Sequence, residues 1–192
     1  MRGKLRNISL FLSLFYLTFY IPMALTFYLP WWMELSCAWN DRCEIVGMEK
    51  SLKGINELSS YFRHQDQGLE SFFTEKEKLH LKEVRGIFDT MLMIALAAVI
   101  LLAVSWDRTR LPRYSIYNAF IILALLLVLP FFGTFWKDVF HPLLFDNDLW
   151  KNNRADLSYY IMPRQFFKYT VALIIIACYS INMLIWYFTR TR

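Results

Sequence analysis

The chain has 192 residues, of which 57% are hydrophobic and 18% are aromatic, and its formal net charge is +5. Soluble domains contain roughly 45 to 50% apolar residues, so this composition excludes an ordinary soluble domain. The basic residues gather in short segments beside long apolar runs, which is typical of membrane topology signals and gives no reason to expect a nucleic-acid partner.

Four apolar segments are long enough to cross a bilayer, for which a helix needs about 20 residues. The predicted membrane helices cover approximately residues 8–32, 87–106, 115–136 and 169–188. The first helix follows a basic segment, as a signal peptide does. Its apolar run exceeds the roughly 7 to 15 residues of a signal peptide, so we expect an uncleaved helix.

The short polar segments predict how these helices are oriented. The N-terminal segment, the link at 107–114 and the C-terminal segment are basic, and basic segments stay in the cytoplasm. Residues 33–86 and 137–168 hold nearly all the carboxylates and are expected to face outward. The fold class is therefore an all-α integral membrane protein with four transmembrane helices and both termini cytoplasmic. Residues 1–192 are predicted to form a single membrane domain with a small, mainly helical extracytoplasmic cap.

The first cap segment is predicted to be helical in two parts. Leu52, Ile55, Leu58 and Phe62 recur every three or four residues, which indicates an amphipathic helix. The stretch "EKEKLHLKEVRGIFD" then continues into the second membrane helix. It places a histidine close to the membrane surface, with a carboxylate one turn later.

Common catalytic patterns are missing from the sequence. It contains no HExxH, GxSxG or phosphate-binding glycine loop, and no serine stands beside an activating partner. Only His80 is followed by a carboxylate three residues later, so we expect no metal. Cys37 and Cys43 lie close enough in the chain to form a disulfide, although their spacing does not establish one.

Two histidines remain as candidates for chemistry. His80 precedes the second membrane helix and His141 follows the third, so both are expected on the outer face. His64 lies in a polar stretch and is interpreted as a solvated loop residue. The residues alone leave two readings open: His80 and His141 share one site, or each is an interfacial residue bonded to its own surroundings.

Two segments around these histidines resemble a known family. "LHLKEVRGIF" and "FHPLLFDNDLWKNNRADLSYYIMPRQFF" are similar to the signature regions of bacterial lipoprotein intramolecular transacylases, the Lit proteins of certain Gram-positive bacteria. In the second segment, seven residues fall where the family's residues are expected: Phe140, His141, Phe145, Trp150, Asp156, Pro163 and Phe166. The first segment departs from the pattern, because Leu81 replaces an aromatic residue and Glu83 replaces an aspartate. The stretch 152–154 also lacks a proline.

The resemblance implies an acyltransferase of the plasma membrane whose active site is extracytoplasmic. Its substrate would be a diacylglyceryl-modified lipoprotein within the membrane lipid. The sn-2 acyl chain would move to the α-amino group of the N-terminal cysteine, giving a lyso-form lipoprotein without cofactor or metal. His80 and His141 would be catalytic, and the supporting or substrate-binding residues would be Glu83, Arg85, Phe88, Phe140, Phe145, Trp150 and Asp156.

The roles of the two histidines are open at this point. We hypothesise that His80 removes a proton from the amine while Glu83 orients it, and that His141 assists the carbonyl or the leaving oxygen. The reverse assignment fits the sequence nearly as well. Aromatic side chains, including Trp32 and Trp136, are candidates for a lining that excludes water.

Two other functional classes fit parts of the sequence. A thiol:quinone oxidoreductase would use Cys37 and Cys43, although Cys178 lies inside the last membrane helix without a partner cysteine. A non-enzymatic membrane sensor or accessory protein is the second alternative. The separation of His80 and His141 discriminates between shared chemistry and the non-enzymatic role.

Overall fold

The computed structural model describes residues 2–66, 68–69 and 72–190, and within these residues the chain forms helices and loops without a β-strand. The α-helices are α1 (Arg2–Phe27), α2 (Trp31–Ser36), α3 (Arg42–Val46), α4 (Met48–Phe62), α5 (Glu75–Ser105), α6 (Leu111–Ala124), α7 (Phe132–Thr134), α8 (His141–Leu144), α9 (Ser158–Ile161) and α10 (Arg164–Thr189).

Four helical segments are long and apolar enough to cross a membrane. They are Gly3–Phe27, Glu75–Ser105, Leu111–Leu144 and Arg164–Thr189. The predicted four-helix, all-α membrane fold is therefore confirmed. The second segment begins well before the expected residue 87, because the amphipathic stretch from Glu75 onward is continuous with the apolar helix.

The first membrane helix is shorter than predicted at its C-terminal end. Helix α1 ends at Phe27, and the chain resumes helical structure only at Trp31. A proline disfavours the α conformation of the residue before it, so Pro30 forces Leu29 out of the helix. Proline is tolerated where a helix begins, and α2 follows Pro30 directly.

The third membrane segment changes its helical geometry along its length. A 3₁₀ stretch covers Leu125–Phe131 and a π turn covers Phe135–Phe140. Pro130 lies in the first of these, where it removes one backbone donor and disfavours regular α geometry. Single π turns inside helices are frequent at functional sites. Here the π turn leads directly into His141, the first residue of α8.

The chain divides into two compact units, of which the first contains residues 1–23, 89–129 and 171–192. Leu10, Leu14 and Leu111 form a buried cluster there. The Asn182 amide donates to Thr18 Oγ1 at 3.0 Å, which ties two apolar helices through a polar pair. Large apolar side chains such as Val104, which is 80% exposed, remain on the outside, as expected of helices that contact lipid.

The second unit contains residues 24–88 and 130–170, and it includes both histidine segments. Ile55 and Leu58 of α4 are fully buried and Phe62 is nearly so, which confirms the apolar face predicted for this helix. A disulfide joins Cys37, the residue directly after α2, to Cys43 of α3 in the same unit. The boundaries of the cap, 33–86 and 137–168, and the single-domain assignment remain predictions.

Candidate active site

The π turn positions His141. The backbone N–H of His141 donates to the carbonyl oxygen of Trp136, five residues earlier, and the ring Nδ1 lies 2.7 Å from the same oxygen. A carbonyl only accepts hydrogen bonds, so Nδ1 must carry a proton. In the neutral ring the lone pair is therefore on Nε2, and that nitrogen is the one able to accept a proton.

Aromatic rings enclose the His141 imidazole, which is only 4% exposed. Its ring stacks on Trp150 with centroids 4.1 Å apart and meets the edge of Trp136 at 4.6 Å. Phe140 and Phe145 lie at 5.4 and 5.8 Å. The result is a largely apolar wall around a proton-accepting nitrogen, which limits access of water to it.

His80 reaches the same wall from helix α5. Its ring lies 4.7 Å from the ring of Phe145 in an edge-to-face arrangement, and its side chain is 14% exposed. Phe145 therefore contacts both imidazoles. The structure thus brings His80 and His141 together in one site within the second unit, which the sequence alone left undecided.

Glu83 lies one helical turn after His80 with its two carboxyl oxygens in different surroundings. Oε1 accepts a hydrogen bond of 2.7 Å from the side-chain amide of Asn147. Oε2 lies 3.6 Å from His80 Nδ1, which is an ion-pair distance and too long for a hydrogen bond. Both atoms are buried, and no described residue makes a hydrogen bond to either. Buried polar atoms without partners are costly, so this pair is suited to receive a donor from a substrate.

A cleft of about 300 Å³ opens beside this pair. Its lining combines polar and apolar side chains, namely Glu83, Ile87, Leu144, Phe145, Asp146 and Asn147. Glu83 and Phe145 belong both to the cleft and to the surroundings of the histidines. A molecule in the cleft would therefore lie next to the Glu83 side chain.

Hydrogen bonds centred on Asp156 connect the segment after Trp150 to the start of α5. Asp156 is 2% exposed, and its Oδ2 accepts hydrogen bonds from Lys76 Nζ at 2.5 Å and from the backbone N–H of Asn153 at 2.7 Å. The Thr74 hydroxyl lies 2.9 Å from Asp156 Oδ1. Burial alone would raise the pKa of the Asp156 carboxyl, but these hydrogen bonds outweigh burial and hold its pKa below the ordinary value.

A comparison with protein-family models finds one family over residues 7–167, described as lipoprotein intramolecular transacylase Lit. The match covers most of the chain and includes both histidine segments. The chain belongs to the Lit family. It is therefore an acyltransferase, and this selects one of the three functional classes that the sequence left open.

Solved structures of a Lit protein have the same fold. The membrane-integral lipoprotein intramolecular transacylase Lit from Bacillus cereus superposes with a TM-score of 0.87 at 17% sequence identity, covering 98% of this chain and 94% of that one. Two variants of the same enzyme, each with one histidine replaced, give TM-scores of 0.83 and 0.82 at 16% and 18% identity. They cover 98% of this chain and 92% and 91% of theirs. A search of curated protein sequences gives no significant match.

The structure separates the other predicted site residues of this Lit protein into three groups. Phe140, Phe145 and Trp150 surround His141, and Glu83 accompanies His80, whereas Asp156 lies in the polar group at the start of α5. Arg85 instead stacks over Tyr61 at 4.4 Å and contacts His64. Phe88 packs against Phe62 at 4.9 Å. These two side chains therefore contribute to the packing of the second unit and are not placed against the rings of His80 or His141.

Of the two tryptophans predicted to line the site, Trp136 lies at the histidines and Trp32 does not contact them. The Trp136 ring stacks on Phe140 at 4.7 Å, so it belongs to the histidine site. Trp32 donates its indole N–H to Thr170 Oγ1 at 2.7 Å, which ties α2 to α10.

Sequence reasoning missed several polar residues of the site. Asn147 carries no recognisable signal, because its role depends on Glu83 lying opposite it. The pattern Thr74 to Glu77, a threonine followed three residues later by a glutamate, is a helix N-terminal signature and could have been read from the sequence.

The lowered pKa of Asp156 predicts a pH-dependent contribution to stability. A depressed carboxyl pKa stabilises the fold above the unfolded value of about 3.9 and loses this effect as the pH falls through the folded value. Asp156→Asn should therefore lower the thermal midpoint most at neutral pH, and its difference from the parent should shrink toward pH 3. The matched control is Asp148→Asn, since that side chain is 77% exposed. A difference for Asp156→Asn that stays constant over this pH range would contradict the prediction.

Proposed function

We propose that this chain moves the sn-2 acyl chain of a diacylglyceryl-modified lipoprotein to the α-amino group of the lipoprotein's N-terminal cysteine, giving the lyso form. The observation that carries the proposal is the pair of imidazoles on Phe145, next to a carboxyl oxygen without a hydrogen-bond partner. The reaction joins an amine and an ester of one molecule, so it requires proton transfer and positioning but no separate acyl acceptor.

The amine enters as an ammonium group and must lose a proton before it can attack. An α-amino group has a pKa of about 7.7 to 8.0, so much of it is protonated at neutral pH. With its proton on Nε2, the His80 ring offers Nδ1 as an acceptor beside Glu83 Oε2. Neither atom accepts a hydrogen bond from a described residue, and ammonium N–H groups suit both. In the proposed mechanism Glu83 attracts the ammonium group and His80 removes its first proton. This is the assignment favoured above for His80.

A second proton leaves the nitrogen after it attacks the ester carbonyl. His141 Nε2 is the lone-pair nitrogen of the neutral ring, because the Trp136 carbonyl fixes the proton on Nδ1. We assign to it the removal of this second proton and its transfer to the departing glyceryl oxygen. The C–O bond of the ester breaks, the amide C–N bond forms, and one proton returns through His80 to solvent.

Binding geometry supplies the remaining catalysis. Holding amine and ester in register is worth on the order of 7 kcal/mol or more. The rings around His141 limit water, which would otherwise hydrolyse the ester. No covalent acyl-enzyme is needed in this scheme.

We place the site on the outer face of the plasma membrane of a Gram-positive bacterium. The basic N-terminal segment and the link carrying Arg108, Arg110 and Arg113 support cytoplasmic positions for these parts. The Cys37–Cys43 disulfide lies in the same unit as the histidines, and disulfides persist in oxidising compartments outside the cytoplasm.

Replacing either histidine with asparagine should reduce conversion of a diacylglyceryl lipopeptide to its lyso form by about 10² to 10⁴, the range for a lost acid or base. Mass spectrometry of the products measures the rate. His64→Asn is the matched control, because His64 is exposed and has the left-handed backbone that asparagine tolerates. Near-parental conversion by either the His80 or the His141 variant would remove that residue from the mechanism.

Glu83→Gln should lower kcat/KM by about 10- to 100-fold, because a hydrogen bond to a charged group is worth roughly 1.5 to 3 kcal/mol. Steady-state kinetics on the same lipopeptide checks this. Asp148→Asn removes a carboxylate from the same polar loop at an exposed position and serves as the control. Equal kinetics for the two variants would exclude Glu83 as the ammonium partner.

The orientation can be tested with single exposed cysteines. Gln65→Cys lies in the segment between α4 and α5, and Thr109→Cys lies between α5 and α6. A membrane-impermeant maleimide should label the first variant in intact cells and the second only after lysis. The opposite pattern would invert the proposed topology.

A further inference from the structure

Glu77 is a buried carboxyl group that the proposed reaction does not use. It lies in the first turn of α5, three residues before His80, and is 1% exposed. Its Oε2 accepts the backbone N–H of Thr74 at 2.8 Å, while the Thr74 hydroxyl accepts the backbone N–H of Glu77 at 3.3 Å. This reciprocal arrangement is a capping box, which fixes the start of the helix that carries His80.

The other oxygen of Glu77 bonds to a different part of the chain. Oε1 accepts the backbone N–H of Ser158 at 2.6 Å. Ser158 begins α9 and directly follows the segment Phe145–Leu157, whose Trp150 stacks on His141. One carboxyl group therefore holds both the helix of His80 and the segment that covers His141.

Neighbouring contacts strengthen this attachment. Lys76 donates to the backbone carbonyl of Lys151 at 2.8 Å and to Asp156 at 2.5 Å. The Thr74 hydroxyl lies within hydrogen-bonding distance of both Glu77, at 3.1 Å, and Asp156, at 2.9 Å. The first turn of α5 is thus bonded at several points to the segment that ends at α9.

We propose that Glu77 is a positioning residue for the acyl transfer: by bonding Thr74 and Ser158 at once, it fixes His80 relative to the segment that encloses His141. This inference rests on the proposed function, because it assumes that the two histidines act on one substrate. Glu77 does not touch the substrate. It acts by holding the bases at the spacing that successive proton transfers require.

The chemistry of the position requires a carboxyl group with two accepting oxygens. Two backbone N–H groups point at Glu77, one toward each oxygen. Glutamine has nearly the same size but offers only one accepting oxygen, and its NH₂ group would face an N–H donor. Glu77→Gln should therefore release either the cap of α5 or the bond to Ser158 while leaving most of the packing in place.

Steady-state kinetics with a synthetic diacylglyceryl lipopeptide in mixed micelles tests the inference. For Glu77→Gln we expect kcat to fall by about 10-fold or more, with KM changed by less than about twofold, since misplaced bases slow chemistry without weakening substrate contacts. Glu75→Gln makes the same chemical change at an 87%-exposed side chain of the same turn and should retain parental kinetics. Ile55→Val perturbs a fully buried residue of the same unit and controls for lost stability.

Three results would overturn the inference: a parental kcat in folded Glu77→Gln, a loss confined to KM, or an equal loss of kcat in Ile55→Val. If Glu77→Gln does not fold, Glu77→Asp decides. That variant keeps two accepting oxygens on a shorter side chain, which cannot reach the N–H groups of Thr74 and Ser158 at once, and a parental kcat there would contradict the proposal. If the parent protein itself forms no lyso product, the proposed function fails; if the parent is active and these variants match it, only the role of Glu77 fails.

Discussion

The carbonyl oxygen of Trp136 accepts two hydrogen bonds from His141. One comes from the backbone N–H and the other from the ring Nδ1–H. In a regular α-helix this carbonyl would bond to the residue four positions later. The π turn shifts the bond to the fifth residue and so makes the carbonyl available to the imidazole of that same residue. The orientation and the tautomer of His141 both depend on this local change, and Trp136, Phe140 and Trp150 pack around a ring already held in place.

The second histidine is held by contacts of a different kind. His80 lies on a long regular helix. The first three turns of this helix bond through Lys76 and Glu83 to the segment between α8 and α9, and through Glu77 to Ser158, the first residue of α9. All three bonds involve a charged side chain, and such bonds are strongest where water is scarce. Phe145 lies between this helix and His141, and its ring contacts both imidazoles and so sets their separation. The polar bonds fix the position of α5 relative to the segment that carries Phe145.

The sequence predicted the membrane fold well, because apolar runs of sufficient length have few alternatives to a spanning helix. It placed the end of the first helix too late, because the apolar composition continues to Trp32 although the helix ends at Phe27, before Pro30. The motifs predicted His80, His141 and Glu83 together with Phe145 and Trp150, and the structure groups these side chains, while their roles in a reaction remain predictions. Whether the two histidines meet could not be read from composition, because their contact depends on how distant segments pack. Asn147 was missed for the same reason.

Arg85 and Phe88 illustrate the opposite limit of sequence reasoning. Both follow His80 in the same motif, five and eight residues later, but a helix directs side chains at these spacings to different faces. Arg85 stacks on Tyr61, and Phe88 packs against Phe62. Proximity to His80 in the sequence therefore includes helix residues that do not face the site. Residues three apart, such as His80 and Glu83, do share a face of the helix.

The unpaired oxygen of Glu83 also bears on turnover. In the proposed reaction the substrate arrives as a cation and leaves as a neutral amide, so its attraction to this carboxylate exists only before the chemistry. The amide nitrogen of the product has one N–H group and no positive charge, and it cannot replace the ammonium group between Glu83 and His80. The same atom that recruits the substrate thus gives little affinity for the product, which allows a lipid-anchored product to diffuse away in the bilayer without a separate step to expel it.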